Sequence, residues 1–180
     1  MEWEKERELT KRAKKGDEGA FEDLVRAHQR KLYNYIYRLC ENHDDAAEIT
    51  QKAFVKAYFS LGNFRGDSLF RTWLFRIALN TFRNHVRDEG RRKHQTLDGL
   101  DPPAQEKTFS MMVQKEERKK LAEAVQTLPE RQREAVVLRV HEEYSFNEVA
   151  GIMGCSVGAA KASYHQGVKK LKETIGGDEQ

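Results

Sequence analysis

Between Phe64 and Arg87 the chain reads FRGDSLFRTWLFRIALNTFRNHVR, a run that interleaves arginine and asparagine with aromatic and aliphatic residues. At helical spacing, Phe70, Leu74, Ile77, Ala78 and Thr81 share one face. Arg76, Asn80, Arg83 and Arg87 share another, which carries no acid. Guanidinium groups match phosphate geometry, and side-chain amides match base edges. Phe64, Phe70 and Trp73 supply flat apolar rings on which unpaired bases can stack. The chemistry this spells is recognition of single-stranded nucleic acid. A core helix with a basic surface would use the same residues.

Charge is distributed unevenly. The net charge is only +3 over 180 residues. Phe64 to Lys93 holds eight basic residues against three acids, or +5, and Val157 to Lys172 holds four lysines and no acid, or +4. Glu41 to Glu48 holds four acids and no Lys or Arg, or −4. Two basic patches and one acidic patch suggest different partners. With 34% charged and 38% hydrophobic residues, two small helical domains fit better than one large core. Cys40 and Cys155 are far apart and outside any CxxC spacing, as for reduced thiols of a cytoplasmic protein. No apolar run is long enough to span a membrane, and charges follow Met1 at once.

The elements that must position these residues are helices. Phe21, Leu24, Val25, Leu32, Ile36 and Leu39 form an apolar stripe after Gly16-Asp17, ending near Cys40-Glu41-Asn42. A second helix is predicted from Asp44 to about Leu61, stopped by Gly62-Asn63, two residues that tolerate left-handed backbone. The Arg65–Ser68 loop then leads into a helix over Phe70–Arg87. From about Asp88 to Val113 the apolar period is lost, which predicts a flexible linker. Helices resume at Gln114–Gln126 and after Leu128-Pro129-Glu130, the latter carrying Ala135, Val136, Leu138 and Val140. Ser145-Phe146-Asn147-Glu148 has the form of a capping box. It opens a short helix that ends at Gly154, followed by a last helix from Val157 to Ile175. Val149, Ala150, Met153, Val157 and Ala160 can fill the space between these two. The pattern fits a helix-turn-helix, whose second helix enters the major groove, or a plain αα-hairpin.

A helix for unpaired DNA followed by a helix-turn-helix for duplex DNA resembles a bacterial RNA polymerase sigma factor of the extracytoplasmic-function (ECF) group of the sigma-70 family. Gly16-Asp17 with Ala20-Phe21 is similar to the start of that family's region 2, and Asp44–Phe54 to its core-binding segment. Phe64–Asn84 is similar to its −10 reading segment. Leu128–Arg133 and Ser145–Leu171 are similar to its region 4. The resemblance implies an all-α fold of two small helical domains. Residues 1–90 would be the region 2 domain, 91–113 the linker and 114–180 the region 4 domain. It implies a promoter-specific initiation factor in the cytoplasm, with no cofactor or metal. Its partners would be core polymerase (the β′ clamp and the β flap), promoter DNA and an anti-sigma factor.

Site residues follow from the same resemblance. Asp44, Asp45, Glu48, Gln51, Phe54 and Tyr58 would meet the β′ clamp, although Lys52 stands where the family usually has an acid. Phe54 also suits a core position. Arg65, Asp67, Ser68, Trp73, Arg76, Asn80, Arg83, Asn84 and Arg87 would hold the melted −10 strand. Asn80 would read a flipped base and the arginines would grip phosphates. Trp73 suits both core and stacking platform. Ala159, Lys161, Ala162, Ser163, His165, Gln166 and Lys169 would face the −35 duplex, with Gln166 matched to adenine and Lys161 to guanine. His165 suits a phosphate contact as well as simple surface cover. Ala159, Ser163 and Gln166 depart from the family's usual residues, so the −35 preference is this chain's own.

Two other functions use parts of the pattern. An ordinary helix-turn-helix regulator would account for residues 128–175 but leave the acidic segment and the 64–87 face idle. His43-Asp44 is similar to the His-Asp pair of metal phosphohydrolases. The remaining histidines (His28, His85, His94, His141, His165) fall in no ligand spacing along the chain.

Overall fold

The computed structural model describes residues 3–95 and 112–176, and among these the chain is helical with no strand. The helices are α1 (Trp3–Lys14), α2 (Glu18–Cys40), α3 (His43–Ser60), α4 (Phe70–Gln95), α5 (Met112–Gln126), α6 (Glu130–Val136), α7 (Phe146–Met153) and α8 (Val157–Gly176). A 3₁₀ turn, Leu61–Asn63, follows α3, and a five-residue π-helix, Val137–His141, follows α6.

Local chemistry sets most of the boundaries. Asp17 caps α2 by accepting from the Ala20 amide at 3.0 Å, and Asn42 caps α3 by accepting from Asp44 and Asp45. Glu41, at φ 53°, closes α2 with its amide on the Tyr37 carbonyl. The stop after α3 differs from expectation: Leu61–Asn63 tighten into the 3₁₀ turn, and Gly66 in the next loop takes the left-handed backbone, at φ 81°. Ser145 and Glu148 form the full capping box of α7, and Gly154 ends it in the left-handed conformation at φ 66°.

α4 departs most from the expected bounds. It continues through Gly90 to Gln95, so the first residues of the expected linker prolong the helix. Residues 96–111, the rest of that linker up to α5, lie outside the described residues. Between α6 and α7, the consecutive residues Val136, Val137 and Leu138 are all buried. The wider π turn presents neighbouring side chains to the core where a 3.6-residue turn would rotate one away.

Packing joins the two halves of the chain. α2 packs on α1 and α3, α3 on α4, α6 on α8, and α7 on α8. α4 also packs on α7, so one continuous core runs from Leu9 to Leu171. α4 is therefore buried on two sides. Phe70, Leu74, Ala78 and Thr81 face the N-terminal helices as the spacing predicts. Phe75, Leu79 and Phe82 form a second buried stripe. Phe75 lies between Tyr35 of α2, at 5.1 Å, and Tyr144 before α7, at 5.2 Å. Burying each such side chain contributes roughly 1.5–3 kcal/mol. Gly167 of α8 lets α6 approach closely: a Cβ there would lie 2.8 Å from Val136 Cγ2.

Candidate nucleic-acid interface

The acidic face is built on the first turns of α3. Asp44, Glu48 and Gln51 are exposed and Asp45 is half-buried. Glu48 pairs with Lys52 one turn on, and Asp45 lies 3.2 Å from His85 Nε2 of α4. Tyr58 is exposed, its ring edge-to-face with Phe21 at 5.1 Å between centroids. Phe54 is 9% accessible and sits in the core, the second of the two positions its sequence context suits. Beside Tyr58, Phe59 is also exposed, at 81%. Phe59 lies outside the segment picked out by the family resemblance, although it continues the polar face eight residues after Gln51.

Asp45, Glu48 and His85 bring three ligand atoms within 4.8 Å of one another. The histidines that fall in no ligand spacing along the chain thus include one brought to two carboxylates by the fold. The Lys52 ammonium already lies on Glu48, so a cation would have to displace it. His43, the other metal candidate, is exposed; it bonds Tyr33 Oη at 2.6 Å and stacks on Tyr37.

The amide and cation face of α4 opens into a cleft lined by Asn80, Arg83, Asn84 and Arg87, with Glu130 and Arg131 of α6 opposite. Arg76, Asn80, Asn84 and Arg87 are exposed, and Arg87 donates to Asn84 Oδ1 at 3.1 Å. In the preceding loop Arg65, Asp67 and Ser68 are exposed, with Arg65 3.3 Å from Asp67. Phe64 and Phe70 are core residues and cannot serve as stacking platforms. Both rings pack on Trp73, which is half-buried.

Arg83 is the exception on this face. Its Nε and Nη2 donate to the two carboxylate oxygens of Glu134 at 2.8 and 2.7 Å. It also reaches the Met153 carbonyl at the end of α7. Burial pushes the fully enclosed Glu134 carboxyl above its ordinary value, against the pull of Arg83. The same pair holds the Arg83 guanidinium above its own value. A guanidinium stays protonated in proteins, and both carboxylate oxygens accept, so the pair is ionic. Arg71, absent from the sequence candidates, makes a second link: it pairs with Glu148 at 3.0 Å and lies over Tyr144.

On α8, Ala159, Lys161, Ala162, His165, Gln166 and Lys169 are exposed, and Ser163 is half-buried. Val149, Ala150, Met153 and Ala160 fill the helix-turn-helix core, whereas Val157 is 36% accessible. Gln166 accepts from Gln132 at 3.3 Å, and Lys161 lies 5.8 Å over the Phe146 ring. Lys169 lies 3.9 Å from Glu173.

Residues 24–92 match the family Sigma-70 region 2, and residues 118–171 match Sigma-70, region 4. The chain is 36% identical over 173 residues to the RNA polymerase sigma-H factor of Pseudomonas aeruginosa, covering 88% of each protein. It is 37% identical over 164 residues to the ECF RNA polymerase sigma-E factor of Escherichia coli, covering 86% of this chain and 85% of that one. Among solved structures it resembles CnrH in complex with the cytosolic domain of CnrY, with a TM-score of 0.75 and 26% identity over 97% of this chain and 99% of that one. It shares its fold with the sigma factor RpoE of Bartonella quintana, solved with the anti-sigma factor NepR (TM-score 0.70, 24% identity, 86% of this chain and 96% of that one). The chain belongs to the sigma-70 family of RNA polymerase sigma factors, in its extracytoplasmic-function group. It is a promoter-specific transcription initiation factor that works with core RNA polymerase on promoter DNA, and it is not an enzyme. No described helix is long and apolar enough to cross a membrane.

Proposed function

We propose that this chain acts in the cytoplasm and docks on core polymerase through the exposed acidic face of α3. In this reading Asp44, Asp45, Glu48, Gln51 and Tyr58 meet the β′ clamp, and the α5–α8 unit meets the β flap. Asn80, Asn84, Arg76 and Arg87, with the Arg65–Ser68 loop and the outer edge of Trp73, hold the melted −10 strand. Lys161, Ala162, His165 and Gln166 face the −35 duplex. Residues 1–90 and 114–180 act as the two DNA-facing units.

The observation that carries this is the pair of solvent-facing arrays: amides and guanidiniums along α4, and a lysine-rich face of α8 on a capped helix-turn-helix. An anti-sigma partner fits the likeness to CnrH, which was solved with a bound protein domain.

Multi-round transcription with core polymerase on the chain's own upstream region tests the reading. A discrete new transcript is expected. No transcript, together with a dimeric footprint on duplex DNA by the protein alone, would return it to the ordinary regulator class. Asn80→Ala should alter −10 base preference more than total strand affinity; a uniform loss across sequences would make Asn80 a mere contact.

A further inference from the structure

We propose that Asp45 and Glu48 of α3 and His85 of α4 form a binding site for a divalent transition-metal ion of the zinc type. The site itself stands independently of the DNA reading. Its effect on polymerase assembly rests on the docking role of the α3 face.

Asp45 and Glu48 are three residues apart, so α3 sets both carboxylates on one side. α4 packs on α3 and brings His85 to the same spot. One imidazole nitrogen and two carboxylate oxygens then lie within 4.8 Å of one another. One turn earlier on α4, Thr81 Oγ1 accepts from Lys56 Nζ of α3 at 3.1 Å and ties the two helices together. An imidazole with two carboxylates suits zinc and its first-row neighbours. Magnesium and calcium favour oxygen donors alone.

The contact of His85 with Asp45 has the form of two ligands rather than of a hydrogen bond. His85 Nε2 lies 3.2 Å from Asp45 Oδ1, yet it makes no hydrogen bond and is closed off from solvent. A buried ring nitrogen without a partner is costly. Two ligands of a tetrahedral zinc, each bonded at about 2.0–2.1 Å, lie roughly 3.3 Å apart. The pair therefore already has the spacing of one edge of such a site. Glu48 is exposed, so its carboxylate can swing onto the ion. Its partner Lys52 is one turn along the helix in an exposed pair, a kind that contributes little, and a divalent ion can take its place. Asp88 and Glu89 line the same cleft and add negative potential against Lys52, Lys56 and Arg87. Of these cations, Lys56 is held by Thr81, and Arg87 donates to Asn84.

An ion at this site neutralises Asp45 and Glu48, two carboxylates that meet the β′ clamp in the docking reading. Metal binding then lowers assembly with core polymerase.

Cobalt(II) titration of the full chain, read by visible d–d absorption with zinc(II) as competitor, tests the site. A single cobalt per chain is expected, displaced by zinc. His85→Gln and Glu48→Gln should each weaken binding by about tenfold or more. Lys52→Gln, which removes the competing ammonium, should tighten it severalfold. No saturable binding, or binding that His85→Gln and Glu48→Gln leave unchanged, overturns the site. Core assembly is then measured with and without equimolar zinc. Zinc should weaken assembly of the wild-type chain and leave that of His85→Gln unchanged. If zinc binds without weakening assembly while Asp45→Lys/Glu48→Lys does weaken it, the effect on polymerase is wrong. If that charge reversal also leaves assembly unchanged, the α3 docking reading falls and the metal site stands.

Discussion

The Arg83 guanidinium of α4 and the Glu134 carboxylate of α6, 51 residues apart in sequence, meet in a two-bonded fork of 2.8 and 2.7 Å. The fork ties the helix that carries the exposed amides Asn80 and Asn84 to the unit that carries the helix-turn-helix. A double-mutant cycle of Arg83→Gln and Glu134→Gln, read by chemical denaturation, should give a coupling of roughly 1–3 kcal/mol. Additive single effects would mean the two side chains contribute to stability independently of their pairing.

Gly167 is needed for its lack of a side chain. A Cβ there would meet Val136 Cγ2 at 2.8 Å, and Gln132 Cβ and O at 3.3 Å. Gly167→Ala should destabilise the chain by about 1–3 kcal/mol through overpacking. Adding Val136→Ala, which clears the closest atom, should return part of that loss. The check is the denaturation midpoint of the single and double variants.

Phe54 and Phe59 separate the core from the exposed side of α3. Phe54→Ala empties a core position and should cost about 3–5 kcal/mol. Phe59→Ala, on a side chain exposed at 81%, should leave stability within about 0.5 kcal/mol. It should weaken assembly with core polymerase if the α3 face is the docking surface. Native gel or sedimentation assembly assays decide this, and undiminished assembly would confine docking to the acidic end of α3.

Acid stability should depend on Glu6. Burial alone would raise its carboxyl, but the His28 contact and the Arg71 amide outweigh burial and hold it below its ordinary value. A lowered acid contributes stability that is fully present above the unfolded-state value, about 4.3, and is lost as pH falls through the lower native value. Glu6→Gln should lower stability at neutral pH and flatten the acid-side loss. Denaturation midpoints followed down from neutral pH give the slopes, and parallel slopes for variant and wild type would remove Glu6 from the acid response.

What the sequence by itself determined is what short-range chemistry encodes. The α7 start follows from Ser145 and Glu148, three residues apart; the α7 stop from Gly154; the α2 and α3 stripes from helical period. Of the Arg76, Asn80, Arg83 and Arg87 face of α4, helical period placed Arg76, Asn80 and Arg87 correctly in solvent for the same reason. A helix presents every third or fourth residue on one side whatever surrounds it.

Tertiary structure decided whatever depends on a partner far along the chain. Phe75, Leu79 and Phe82 do not fall on the expected apolar face of α4, and they are buried where α2 and α7 also pack on that helix. Phe64 and Phe70 became core, while Trp73 kept an edge in solvent. His85 reached Asp45, and the acid-free face of α4 received its acids from α6. Periodicity records which side chains share a face. What covers that face is set by which helices the chain brings back against it, and no local pattern carries that information.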